Sequence, residues 1–194
     1  LSGEYVNSWI NINANVYSNW FRNKIEGMWS NDQTELHYIN IGKSRLAGVE
    51  TMCKIQINRH INVHGAYNYL YTSKDADGVR LSSSSPHSGN IRAEYNTRIP
   101  RYATVVNLSG NIMGKKKFDV LDELEIDGKK VEAYYQAKVN PYCLWDLTVS
   151  QYIMQNLRIT AGITNLFDYT SDRVTFNTST SPGRNYFIAC NYTL

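Results

Sequence analysis

From Ile61 to Tyr71 apolar and polar positions alternate. Ile61, Val63, Gly65, Tyr67, Tyr69 and Tyr71 fall on one side, and Asn62, His64, Ala66, Asn68 and Leu70 on the other. A period of two sends successive side chains to opposite faces of a β-strand. The same pattern recurs along the chain and predicts eight full strands. The first runs from about Trp9 to Phe21 and a long second from Leu36 to Ile57; the Ile61 run is the third. Asn90 to Thr97, Tyr102 to Ile112 and Tyr142 to Tyr152 follow. The seventh carries Leu157, Ile159, Ala161 and Ile163, and the last runs from Tyr186 to Leu194. Residues 1 to 7 read as the tail of a strand that begins upstream.

The connections sort into two kinds. Tight ones lie at Asn7-Ser8, Asn58-Arg59-His60, Arg98 to Arg101 and Met154-Gln155-Asn156. Between them come long ones: Arg22 to Glu35, Ser73 to Gly89, Gly114 to Ala137 and Asp168 to Gly183. Strict short–long alternation suits a membrane β-barrel with short periplasmic turns and long outer loops. Each strand also approaches or exceeds the roughly 9–11 residues that a tilted membrane strand needs.

The second face holds Lys54, His64, Arg92, Glu94, Asp146 and Arg158. Against lipid such charges would be costly; in a polar lumen they are not. Periodicity alone leaves two alternatives open. One is a soluble β-sandwich binding module, whose apolar face is core. The other is a complete eight-stranded outer-membrane barrel acting as adhesin, structural protein or enzyme.

Composition changes the picture little. A hydrophobic fraction of 42% averages over both faces and hides any lipid-facing stripe. No apolar run nears the roughly 20 residues of a membrane-spanning helix. A net charge of +3 without a basic stripe argues against nucleic acid, and Lys115-Lys116-Lys117 reads as a solvated loop tip. Fifteen Tyr and four Trp against five Phe fit a lipid–water interface. Cys53, Cys143 and Cys190 match no zinc spacing and fall on the apolar face. The opening Leu1-Ser2-Gly3-Glu4-Tyr5 is no signal peptide, so the expectation is a mature or partial chain if the protein is exported.

Three stretches resemble TonB-dependent outer-membrane receptors. They are residues 15–27 (Asn-Val-Tyr-Ser-Asn-Trp-Phe-Arg-Asn-Lys-Ile-Glu-Gly), residues 38–50 ending Gly48-Val49-Glu50, and the end. The end comprises Gly162-Ile-Thr-Asn-Leu-Phe-Asp-Tyr169, Pro182-Gly-Arg-Asn-Tyr-Phe187 and Tyr192-Thr-Leu194. The resemblance implies an all-β, antiparallel, up-and-down transmembrane β-barrel. Residues 1–194 would be the C-terminal eight or so strands of a 22-stranded barrel with a plugged lumen. The plug, about fourteen strands, the TonB-contacting segment and the signal peptide would lie upstream. Such barrels usually end on Phe, whereas here Leu194 follows Tyr192 by two.

The function so implied is energised import of a scarce bulky nutrient: a ferric siderophore, haem, cobalamin or a glycan. The expected location is the outer membrane of a Gram-negative bacterium. Expected partners are the lipid bilayer, the protein's own plug, the TonB complex and a small-molecule or haem-type ligand, with no nucleic acid. Lys54, His64, Arg92, Glu94, Arg98, Asp146 and Arg158 would face the plug. Trp29, His37, Arg80, His87, Tyr134 and Tyr135, placed in or near outer loops, are candidate ligand contacts. The residues predict no catalytic constellation, metal site or cofactor. Ser82 to Ser85 beside His87 lacks a positioned Asp and reads as a flexible loop tip. Asp75-Ala-Asp77-Gly78 lacks the later ligands of a calcium loop and reads as a turn.

Overall fold

The computed structural model of this chain describes residues 1–29, 34–73, 85–126, 129–154, 156–171 and 182–193. Eleven strands appear among them: β1 (Ser2–Val6), β2 (Ile10–Trp29), β3 (Leu36–Gln56), β4 (Ile61–Thr72), β5 (His87–Asn96), β6 (Thr104–Met113), β7 (Lys116–Ile126), β8 (Lys129–Val139), β9 (Tyr142–Ile153), β10 (Leu157–Thr164) and β11 (Asn185–Tyr192). Nine form one antiparallel sheet in the order β1-β2-β3-β4-β5-β6-β9-β10-β11. β7 and β8 form a separate two-stranded ribbon. The edges β1 and β11 do not pair with each other, so the sheet is an open wall and not a closed small barrel.

Register carries the two faces across the sheet without a slip. Ile55 pairs with Val63, Val63 with Ala93, Ala93 with Leu108, Leu108 with Leu147 and Leu147 with Ile163. One residue along, Lys54 pairs with His64, His64 with Arg92, Arg92 with Ser109 and Ser109 with Asp146. The apolar face is uncovered. Trp20 is 70% exposed and Ile188 78%, and Val139 is the one buried hydrophobic among the described residues. A sandwich would bury that face under a second sheet; here the only other sheet among the described residues is the two-stranded β7–β8 ribbon, and the face stays exposed.

Ten residue steps separate Ile10 from Trp20. At ~3.4 Å per step and a tilt near 45°, they span about 25 Å, the height of a lipid-facing band. Short turns close one end of the wall, and asparagine explains three of them. Asn7 Oδ1 accepts the Trp9 and Ile10 N–H groups, Asn58 Oδ1 those of His60 and Ile61, and Asn96 Oδ1 that of Arg98. A side-chain carbonyl that caps its own turn replaces ladder bonds lost where the strand ends.

Three expectations change. Arg22 to Trp29, read as loop, continues β2 against β3 through Trp29↔Leu36. Where neither face has to be apolar the period-two signal lapses, while backbone pairing continues. Gly114 to Ala137, also read as loop, is largely the β7–β8 ribbon, and Lys116 and Lys117 are strand residues, not a loop tip. Ser85 is no flexible tip: it is 6% exposed, and its hydroxyl lies 2.7 Å from the His87 carbonyl and 2.9 Å from that of Gly114. Ser82 to Ser84 and Asp75 to Gly78 lie outside the described residues.

Candidate functional site

The polar face of the wall gathers most of the chemistry. One row across it reads Asn11, Lys54, His64, Arg92, Ser109 and Asp146, each paired with the next. Three cationic or protonatable side chains thus sit side by side on β3, β4 and β5. The adjacent row contributes Glu94, whose carboxylate lies 3.5 Å from the Arg92 guanidinium. Arg92 also donates two bonds to Asn107 Oδ1, at 3.1 and 2.8 Å. Arg92 is therefore held from two sides while remaining exposed.

Toward the other rim the wall bears asparagines. Asn13, Asn15, Asn68, Asn90 and Asn111, with Glu50, line a concavity of about 650 Å³. Amides both donate and accept, so this surface suits an oxygen-rich or peptide-like partner. Asn68 Oδ1 is buried yet has no hydrogen-bond partner among the described residues. Such groups are rare.

Of the other polar positions, Asp146 has a structural task. Its Oδ1 accepts the Asn165 N–H at 2.9 Å, so it anchors the turn after β10 as well as closing the basic row. Arg158 pairs with Tyr152 and Asn191, and its guanidinium lies 6.0 Å from the Tyr152 ring centroid. Arg98 sits in the β5–β6 turn with φ of 52°.

The candidate outer contacts are scattered. His37 lies on β3 opposite Met28, its Nε2 3.4 Å from Glu35 Oε2. His87 opens β5 on the apolar face, because it pairs with Tyr69 and its Nδ1 lies 2.7 Å from Tyr67 Oη. The Tyr69 and His87 rings are 5.1 Å apart. Trp29 ends β2, while Tyr134 and Tyr135 are consecutive on β8, opposite Leu121 and Val120. Arg80 lies outside the described residues. Among the described residues no three His, Cys, Asp or Glu side chains converge on a metal-sized site. At the foot of the ribbon, burial pushes the Lys116 ammonium below its ordinary pKa.

Residue types alone did not point to the glycine–aromatic pairs. Gly48 faces Tyr17, Gly110 faces Trp145 and Gly162 faces Phe187 across neighbouring strands. A Cβ at Gly110 would stand 2.8 Å from the Trp145 ring, so the indole occupies the space glycine leaves. Each ring lies over a bare stretch of backbone and fixes register there. The available signal was a lone Gly within an alternating run.

Comparison with known proteins adds a family and a fold. The family model described as "TonB dependent receptor-like, beta-barrel" matches residues 1–166. The siderophore receptor PirA from Acinetobacter baumannii shares 16% identity over 97% of this chain and 30% of its own, with a TM-score of 0.71. The ferripyoverdine receptor of the outer membrane of Pseudomonas aeruginosa shares 18% over 98% and 26%, with a TM-score of 0.70. A copper transporter, OprC, shares 15% over 97% and 29%, at 0.71. This chain thus spans less than a third of each of these proteins, and at such identities the likeness is one of fold.

Proposed function

Because the chain belongs to the TonB-dependent receptor-like β-barrel family, we propose that it is the C-terminal wall of an outer-membrane importer. The observation that carries this reading is the unbroken register that sets an apolar face against a polar, charged one across β2 to β10. In a 22-stranded barrel of a Gram-negative outer membrane, the apolar face meets lipid and the polar face encloses a plug. Lys54, His64, Arg92, Glu94, Arg98, Asp146 and Arg158 are the plug-facing set. Charges enclosed there need partners, and a folded plug offers them.

The transported ligand is a scarce bulky nutrient, with a ferric siderophore ahead of haem, cobalamin or a glycan. Three of the similar structures are described as siderophore, ferripyoverdine and ferric enterobactin receptors, which supports that order. Trp29, His37, Arg80, Tyr134 and Tyr135 are the outer candidates for contact; the bond from His87 to Tyr67 gives His87 a place among the interfacial aromatics instead. Ligand capture outside would shift the plug, and the TonB complex would supply the work. No catalytic step is assigned. The test is growth of a strain lacking the whole gene on single sources of iron–siderophore, haem or cobalamin. Loss of growth on one source, restored by the gene only when TonB is intact, is expected. Unimpaired growth and uptake on every source would refute import.

A further inference from the structure

The last outward-facing row of β2 and β3 before the strands leave the lipid band is basic. Trp20 pairs with Arg45, and Arg22 with Lys43; Ser18, Trp20 and Arg22 continue the apolar face of Ile10 to Val16. Arg45 Nε donates to Ser18 Oγ at 2.9 Å, and its guanidinium lies 5.1 Å from the Trp20 ring centroid, which places all three on one face. Its two terminal nitrogens have no partner among the described residues, and neither Arg22 nor Lys43 has an ion-pair or hydrogen-bond partner there. All three cations are exposed. Two like charges directly opposite on adjacent strands repel each other. An anion held between them would reverse that cost.

Height narrows the anion. Trp20 lies about 25 Å up the wall from Ile10, at the upper edge of the lipid band, with Tyr71 beside Ala47 on the next strand. A tryptophan at that level marks the headgroup zone. Cations on the lipid side of the wall, one row above it, meet headgroups and not the lumen. We propose that Arg22, Lys43 and Arg45, steadied by Trp20 and Ser18, form a binding site for the phosphate of an outer-leaflet lipid. Arg45 supplies a planar fork pre-oriented on the indole, a geometry suited to phosphate oxygens. This site rests on the outer-membrane reading above.

The test uses the full-length receptor, delipidated in detergent and titrated with diphosphoryl lipid A, with the same lipid dephosphorylated, and with inorganic pyrophosphate. Bound lipid is counted by native mass spectrometry. The wild type should prefer the phosphorylated lipid at least about tenfold, as expected for several basic groups near a charged surface. R22Q/K43Q/R45Q should lose that preference, and R59Q/R101Q at the opposite rim should keep it. Heat-resistant gel migration of each variant verifies an assembled barrel. R22Q/K43Q/R45Q keeping the preference, R59Q/R101Q losing it, or lipid displaced by equimolar pyrophosphate overturns the site. Release of the receptor from membranes without detergent overturns the outer-membrane reading itself; an embedded receptor blind to headgroup phosphate overturns only the site.

Discussion

Asn165 shows how much structure one side chain holds. It is 4% exposed with φ of 52°, its Nδ2 donates to the Tyr169 carbonyl at 2.7 Å, and its Oδ1 accepts the Tyr169 N–H at 2.8 Å. Asp146 takes its backbone N–H, and Asp168 Oδ1 takes that of Arg184. The turn after β10 is thus closed by side chains on both sides. Replacing Asn165 with Ala strips both side-chain bonds to Tyr169 and puts a less tolerant residue at positive φ; a loss of about 2 kcal/mol is expected, read as a lowered urea midpoint of the refolded full-length barrel. An unchanged midpoint would show that the turn holds nothing. Gly162 makes the complementary case. The Phe187 ring fills its Cβ position, so Gly162→Val should cost about 1–3 kcal/mol, and Phe187→Leu in the same chain should restore part of it. The stretch containing both residues was recognisable in the sequence as a resemblance. Its physical reason was not, because Asp146 and Phe187 lie well away along the chain and meet these residues only through strand pairing.

At the level of elements, the face rule can be tested by charge. Val16 and Leu108 lie on the apolar face midway along the wall, and Asn62 and Ser109 on the polar one. Arginine at Val16 or Leu108 should cost about 2–4 kcal/mol near mid-bilayer and sharply reduce the receptor recovered in the outer-membrane fraction. Lysine at Asn62, which pairs with Glu94, should assemble normally. Equal recovery from both faces would refute the assignment. Strands inside the band were legible because one face must be apolar there. Their outer extensions were not, since water on both sides removes the constraint. The β7–β8 ribbon carries a readable signal: Phe118, Val120, Leu124 and Ile126 share one parity, broken only at Asp122, up to Asp127-Gly128, a strong hairpin dipeptide. His87 reads as loop from its serine and proline neighbours; only its pairing with Tyr69 sets it on the apolar face.

On the scale of the whole molecule, the wall encloses nothing by itself. Its polar face is a surface waiting for a filling, with Arg92 braced by Glu94 and Asn107 at its centre. If a plug seats there, Arg92→Glu should leave barrel assembly intact but loosen the fit, measured as increased sensitivity of intact cells to a large antibiotic that the outer membrane normally excludes. Unchanged sensitivity would remove Arg92 from the plug contact. Beneath these proposals lies one claim: the chain is a single-layer wall with lipid on one side and a polar lumen on the other. Its most direct measurement places a fluorophore on single cysteines introduced in turn from Ile61 to Tyr71 of the full-length receptor, with Cys53, Cys143 and Cys190 replaced by alanine, in bilayers containing a brominated-lipid quencher. Quenching should alternate with a period of two, strong at Val63, Tyr67 and Tyr69 and weak at Asn62, His64 and Asn68. A flat or inverted profile would contradict the two-faced wall.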